Sequence, residues 1–243
     1  MTQPGLVVLG TRNLGAAILR HFVARGWRAA GIARSAESLA VARAAGAVAV
    51  CGDAREPASL REALGRAADA LDSVALIVNA VGAPPAEAGE PFGGGSVADA
   101  ALDQYRRWGA AVGEAAFVFL SEGARLLREG GDGGTLVQLT GETGRRVPPG
   151  QGLWASGHMA ARALVLAAAQ ELRGEGIRAC LLVVDAPVDS PRTLTEPGQT
   201  GLPADATVAQ ENVARAIEYL TSQGRRGLSY ELQLTAAERD WVP

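Results

Sequence analysis

The sequence predicts an α/β fold: one doubly wound domain in which a parallel seven-stranded sheet is flanked by helices. Three observations predict it. Short apolar, β-branched runs alternate with longer segments of helical spacing along the whole chain. The strand-like runs are apolar on consecutive residues, as strands covered on both faces are. The 243 residues are enough for one large core. No internal repeat or linker divides them, so residues 1–243 read as a single domain.

Taken in order, residues 5–10 (GLVVLG) predict the first strand and residues 14–25 the first helix. Residues 28–33 read as the second strand, with a helix over 36–45, and residues 47–51 as the third, with a helix over 57–70. Residues 74–81 (VALIVNAV) form a buried fourth strand. A Pro/Gly-rich loop, PPAEAGEPFGGGS, leads into a long helical region over about 97–128. Residues 135–140 predict the fifth strand, 153–172 (LWASGHMAARALVLAAAQEL) an Ala- and Leu-rich helix, and 178–184 the sixth strand. The segment 187–206, polar and rich in Pro, Gly and Thr, reads as a loop or substrate lid. A helix over 208–220 and a strand over 229–234 close the chain.

Composition excludes several classes. A net charge of −3 argues against nucleic-acid binding, which needs a strongly basic face. No apolar run reaches the roughly 18 residues of a membrane span. Residues 1–4 are polar and the apolar run after them is short, so neither a leader nor a membrane location is expected, and a cytoplasmic protein is. Cys51 and Cys180, on separate strand-like segments, are expected to be reduced core thiols. Two His and two Cys, scattered along the chain, give no metal-ligand spacing. His21, in the first helix, reads as a surface or half-buried side chain. All 23 basic residues are arginine, so any mechanism that needs a lysine is excluded.

The first strand–helix turn, VVLGTRNLGAAIL, sets Gly10 and Gly15 where backbone N–H groups at a helix start can hold a phosphate. Here the chain resembles the short-chain dehydrogenase/reductase family, a Rossmann-type fold, over essentially its whole length. Gly10 and Gly15 match the first and last glycines of that family's Gly-x-x-x-Gly-x-Gly turn. Asn13 stands at the middle one, and Asn tolerates positive φ. Asp53 resembles the aspartate that meets the adenine. Asn79, Ala80 and Gly82 in VNAVG are similar to the Asn-Asn-Ala-Gly stretch, with one Asn lost. VARAIEYLTSQG is similar to the family's last long helix.

The resemblance implies a nicotinamide dinucleotide. An acidic residue ending the second strand would hold the ribose hydroxyls and repel a 2′-phosphate. Ala33 stands there, followed by Arg34, and Arg12 lies in the glycine turn. Two guanidinium groups near one phosphate predict NADP(H) in preference to NAD(H). The alternative is that both are ordinary surface arginines.

In the family a Tyr passes the proton, a Lys one turn later lowers its pKa and holds the nicotinamide ribose, and a Ser orients the substrate oxygen. Trp154 stands at the Tyr position, His158 at the Lys position and Gly141 at the Ser position. Thr140 precedes it, and Thr140 or Thr143 offers a nearby hydroxyl. Ala110 stands at the family's supporting Asn, and Asp185 and Ala186 at its Pro-Gly pair. An indole N–H donates a hydrogen bond but does not exchange a proton at neutral pH.

Three readings follow. One is an NADP(H)-binding protein without the usual turnover, acting as a sensor, scaffold or partner subunit. A second is a divergent oxidoreductase of a small carbonyl or alcohol, with His158 as proton donor near its ordinary pKa of about 6.5, tuned by Glu142 or Asp185. A third is a cyclase or isomerase acting without redox chemistry, with Trp154 as pocket wall. Ser156 points away from the Trp154 and His158 face, and Arg145 and Arg146 read as an exposed loop pair. The resemblance also implies a homodimer or tetramer through the helices near 97–128 and 154–173, or pairing with an active relative.

Overall fold

The computed structural model describes residues 3–82, 89–190, 201–224 and 226–238. The strands are β1 (Gly5–Leu9), β2 (Arg28–Ala33), β3 (Val48–Cys51), β4 (Leu76–Asn79), β5 (Gly134–Gly141), β6 (Ile177–Asp185), β7 (Val188–Asp189), β8 (Val208–Ala209) and β9 (Glu231–Thr235). The helices are α1 (Leu14–Val23), α2 (Ala36–Ala44), α3 (Pro57–Leu71), α4 (Leu102–Tyr105), α5 (Ala111–Gly130), α6 (Gly152–Glu171) and α7 (Gln210–Ser222). Seven strands form one parallel sheet in the order β3-β2-β1-β4-β5-β6-β9. This is the single Rossmann-like α/β domain that the sequence predicts.

Consecutive apolar residues on the strands feed two cores. Val7, Leu9, Ile77, Leu136, Leu181 and Val183 pack toward α3, α5 and α6. Their neighbours Leu6, Val8, Val78, Val137 and Leu182 pack toward α1 and α7 on the other face. Each fully buried Val or Leu contributes about 1.5–3 kcal/mol of hydrophobic stabilisation, so the central strands fix the register on both faces at once. Strand order reverses direction at β1, which pairs with β2 on one side and β4 on the other. The crevice beyond the carboxyl ends of β1 and β4 is the switch point where sheets of this type receive ligands.

Several predicted boundaries shift. The long helical region begins at Leu102, where the side chain of Gln104 accepts the Ala101 N–H at 2.7 Å. A π-helical turn, Arg106–Ala110, then interrupts the α-helical pattern, and Trp108 within it is fully buried. Backbones of this turn and α6 touch: a Cβ on Gly157 would lie 2.4 Å from the Gly109 carbonyl oxygen. Val208 and Ala209 are not helical, because they pair with Val188 and Asp189 in a two-stranded parallel ribbon, and α7 starts at Gln210. Of the segment 187–206, residues 191–200 lie outside the described residues.

Two side-chain expectations are corrected. Cys51 is exposed, because β3 is the sheet's edge strand; Cys180 is buried, and burial pushes its thiol up to about 11. His21 is buried between helices, with Nε2 at 2.8 Å from Glu218 of α7. Among the described residues, no helix is long and apolar enough to cross a membrane, and no group of three or more His, Cys, Asp or Glu is placed to hold a metal ion.

Candidate nucleotide cleft and its inner end

The glycine turn is built by steric necessity. Gly10 has φ of 82°, and a Cβ there would sit 2.9 Å from the Ala80 carbonyl oxygen. A Cβ on Gly15 would sit 1.8 Å from the Gly10 carbonyl oxygen, so α1 packs on the turn with no room for a side chain. Asn13 takes φ of 46° and makes no side-chain cap, and the first turn of α1 holds no acidic residue. The helix thus opens with amides that no side chain satisfies and with nothing to repel an anion.

This turn forms the floor of a cleft of about 660 Å³, lined by Gly10, Arg12, Asn13, Arg34, Asp53, Ala80 and Gly82, among others. Gly15 and Asn79 shape it from beneath. Asn79 donates to Gln138 Oε1 at 2.9 Å and accepts the Val81 N–H at 3.2 Å, which holds the end of β4 in the conformation that presents Ala80 and Gly82. Arg12 and Arg34 are exposed at the mouth. Asp53 lies 3.3 Å from Arg34 and accepts the Arg55 N–H at 3.0 Å. Ser35 caps α2 by accepting the Ser38 N–H at 3.2 Å, and Thr11 donates to the Ser38 carbonyl at 2.5 Å, tying the glycine turn to α2.

Thr140, Gly141, Trp154 and His158 come together where β5 ends against α6, outside the lining of the cleft. A short 3-10 turn after β5, Glu142–Gly144, sets Thr143 Oγ1 at 2.6 Å from His158 Nδ1. Thr143, rather than Thr140, is therefore the hydroxyl that meets His158. Thr140 Oγ1 is buried without a hydrogen-bond partner among the described residues. Gly141 supplies no side chain, and a Cβ there would lie 3.6 Å from His158 Cε1.

His158 is buried, and desolvation lowers its pKa to about 4. At neutral pH the imidazole is uncharged. Trp154 lies tilted against it, with ring centroids 4.2 Å apart. Trp154 in turn packs edge-on to Trp108 (5.8 Å) and Phe92 (5.9 Å), and Phe92 to Trp108 (5.3 Å). Phe92 also lines the cleft, so an aromatic cluster joins its wall to the start of α6.

The carboxylates expected to tune His158 are engaged elsewhere. Arg146 Nη2 lies 2.8 Å from Glu142 and 3.3 Å from Asp185, and Gln233 donates to Asp185 Oδ2 at 2.7 Å. Arg146 is accordingly half-buried and ion-paired rather than an exposed loop residue, and Arg145 Nε lies 3.8 Å from Glu231. Ser156 is exposed and donates to the Leu153 carbonyl at 2.6 Å. Sequence patterns single out neither Arg55 nor Phe92 nor Trp108, because no local spacing marks side chains that meet only through the tertiary fold.

An uncapped helix start, a glycine-floored cleft at the sheet's switch point and cationic side chains at its mouth define a dinucleotide-binding type of α/β protein. The chain belongs to the short-chain dehydrogenase/reductase family: the family model described as enoyl-(acyl carrier protein) reductase matches residues 8–231. Similar solved structures include a short-chain dehydrogenase/reductase from Serratia marcescens, 23% identical, with a TM-score of 0.79 over 97% of this chain and 98% of that one. Another is a blue fluorescent protein from a metagenomic library, solved in complex with NADPH, 24% identical, with a TM-score of 0.80 over 97% and 98%. A dehydrogenase/reductase from Sinorhizobium meliloti is 21% identical, with a TM-score of 0.81 over 98% and 96%. These likenesses establish the fold. No curated protein sequence matches the chain significantly.

Proposed function

We propose that this protein binds NADP(H) in the cleft and does not perform the family's Tyr/Lys-dependent hydride transfer, serving as a sensor, scaffold or partner subunit. The observation that carries the reading is the contrast between the lining of the cleft and the start of α6, which meets that lining through Phe92. At the adenosine end, the glycine floor, the start of α1 without a side-chain cap, Arg12 and Arg34 suit a phosphate-rich ligand, and β2 ends without an acid at Ala33. The NADPH complex of the structurally similar blue fluorescent protein supports the choice of ligand.

The dinucleotide would supply a transferable hydride when bound. At the start of α6 this chain's residues do other work. Trp154 offers an indole N–H, which does not exchange a proton at neutral pH. His158 is neutral, accepts from or donates to Thr143, and places no positive charge beside the nicotinamide ribose. No lysine exists elsewhere in the sequence to take that role. The lowered pKa also counts against His158 as a neutral-pH acid, because a group that protonates near pH 4 is almost wholly deprotonated at pH 7. The family resemblance supports a homo-oligomer, or pairing with an active relative, through the helices near 97–128 and 154–173.

A panel of carbonyl substrates incubated with protein and NADPH tests the reading. The account expects no protein-dependent consumption of NADPH. Sustained consumption that His158→Ala abolishes would replace it with the oxidoreductase reading.

A further inference from the structure

Arg55 stands two residues beyond Asp53, in the turn between β3 and α3, and matches none of the family positions described above. Its side chain lines the cleft, and Nη2 donates to the Gly82 carbonyl at 3.3 Å. In the strand order β3-β2-β1-β4, residues 55 and 82 follow strands three places apart, roughly 14 Å at strand level. The loops and the Arg55 side chain close that distance, so their bond crosses the cleft above the ends of β1 and β2. The turn beneath is fixed, because the Arg55 N–H is held by Asp53 Oδ1.

Arg55 is half-buried, and among the described residues its guanidinium makes one hydrogen bond, the long one to Gly82. Burial first, then the neighbouring Arg34 charge, lowers its pKa, and Asp53 partly offsets them. Such a cation, poorly solvated and planar, gains from a flat π face placed beneath it. The position separates it in role from Arg34. Arg34 follows β2, where the ribose 2′ substituent would lie, whereas Arg55 spans from the Asp53 turn to the loop after β4, the two walls that the family resemblance assigns to the adenine.

We propose that Arg55 is an adenine strap: a binding residue whose guanidinium stacks on the adenine ring and holds any adenine nucleotide, without preference for a 2′-phosphate. The proposal rests on the nucleotide-binding reading. It is tested by calorimetric titration of nucleotide-free wild type, Arg55→Ala and Arg55→Lys with NADPH, NADH and ADP, with thermal melts to show that all are folded. Arg55→Ala is expected to weaken all three ligands by a similar factor, roughly tenfold. Arg55→Lys, which keeps the charge and loses the plane, is expected to recover little of it. Loss on NADPH alone would overturn the strap and make Arg55 a phosphate ligand. Unchanged binding of all three would overturn it while leaving the nucleotide reading intact. Failure of the wild type to bind any of the three would instead overturn the nucleotide reading, and the strap with it.

Discussion

Trp154 and His158 lie one helical turn apart on α6 with their rings 4.2 Å apart, and Thr143 holds His158 Nδ1 from the far side at 2.6 Å. A phenol and an ammonium at these positions would exchange a proton and bind a ribose. An indole and a buried neutral imidazole instead pack together, and Phe92 and Trp108 extend the packing to the cleft wall. Under the proposed reading, the helix face that serves chemistry in the family serves apolar cohesion here.

That burial carries a pH dependence. The folded-state pKa of His158, about 4, lies below its unfolded value near 6.5, so between these values the unfolded chain binds a proton that the folded chain does not. The contribution is fully present above pH 6.5 and is lost as pH falls toward 4, on the order of 3 kcal/mol in all. Denaturant unfolding of wild type and His158→Phe across this range checks it, with the variant expected to lack that part of the slope.

Arg12→Ala and Arg34→Ala are each expected to weaken NADPH binding by about tenfold and to leave NADH within about twofold. Arg34→Ala carries a second cost, because it leaves the Asp53 carboxylate, now 3.3 Å from Arg34, facing the phosphate alone. Paired titrations with the two nucleotides read both effects, and equal losses on NADPH and NADH would contradict the assignment.

Gly15→Ala would force a Cβ to within 1.8 Å of the Gly10 carbonyl oxygen. The two nearest atoms both belong to the Gly10 backbone, which no side-chain rotation can move away. The expected outcome is a loss of more than about 2 kcal/mol of stability together with loss of nucleotide binding, read by thermal melts and titration.

Glu122 tests the scaffold rather than the site. This buried carboxylate on α5 receives Arg61 Nε and Nη2 from α3 at 2.9 and 2.7 Å, and Arg125 at 3.0 Å. The Arg61 hydrogen bonds hold its pKa below the usual carboxylate range. Glu122→Gln keeps the shape and removes the charge, and is expected to cost about 1–3 kcal/mol in denaturant unfolding, with nucleotide affinity unchanged.

Much of the architecture is legible in the sequence for physical reasons. Runs such as GLVVL and IRACLLVVD can be buried only between two helical layers, and Gly10 and Gly15 stand where no side chain fits. What is not legible depends on neighbours distant in sequence. Cys51 is exposed because β3 falls at the sheet edge, which apolar periodicity does not encode. The π-helical turn that buries Trp108, the diversion of Glu142 and Asp185 to Arg146, and the reach of Arg55 to Gly82 are all pairings between separate elements. In a chain whose only basic side chains besides two histidines are arginines, one more arginine carries no signal of its own.

The most direct measurement is a calorimetric titration of the nucleotide-free protein with NADPH and, separately, with NADH. The account predicts micromolar binding of NADPH and binding of NADH weaker by at least about tenfold, the scale of a charge-assisted phosphate contact. Absence of binding by either nucleotide, or equal affinity for both, would contradict it.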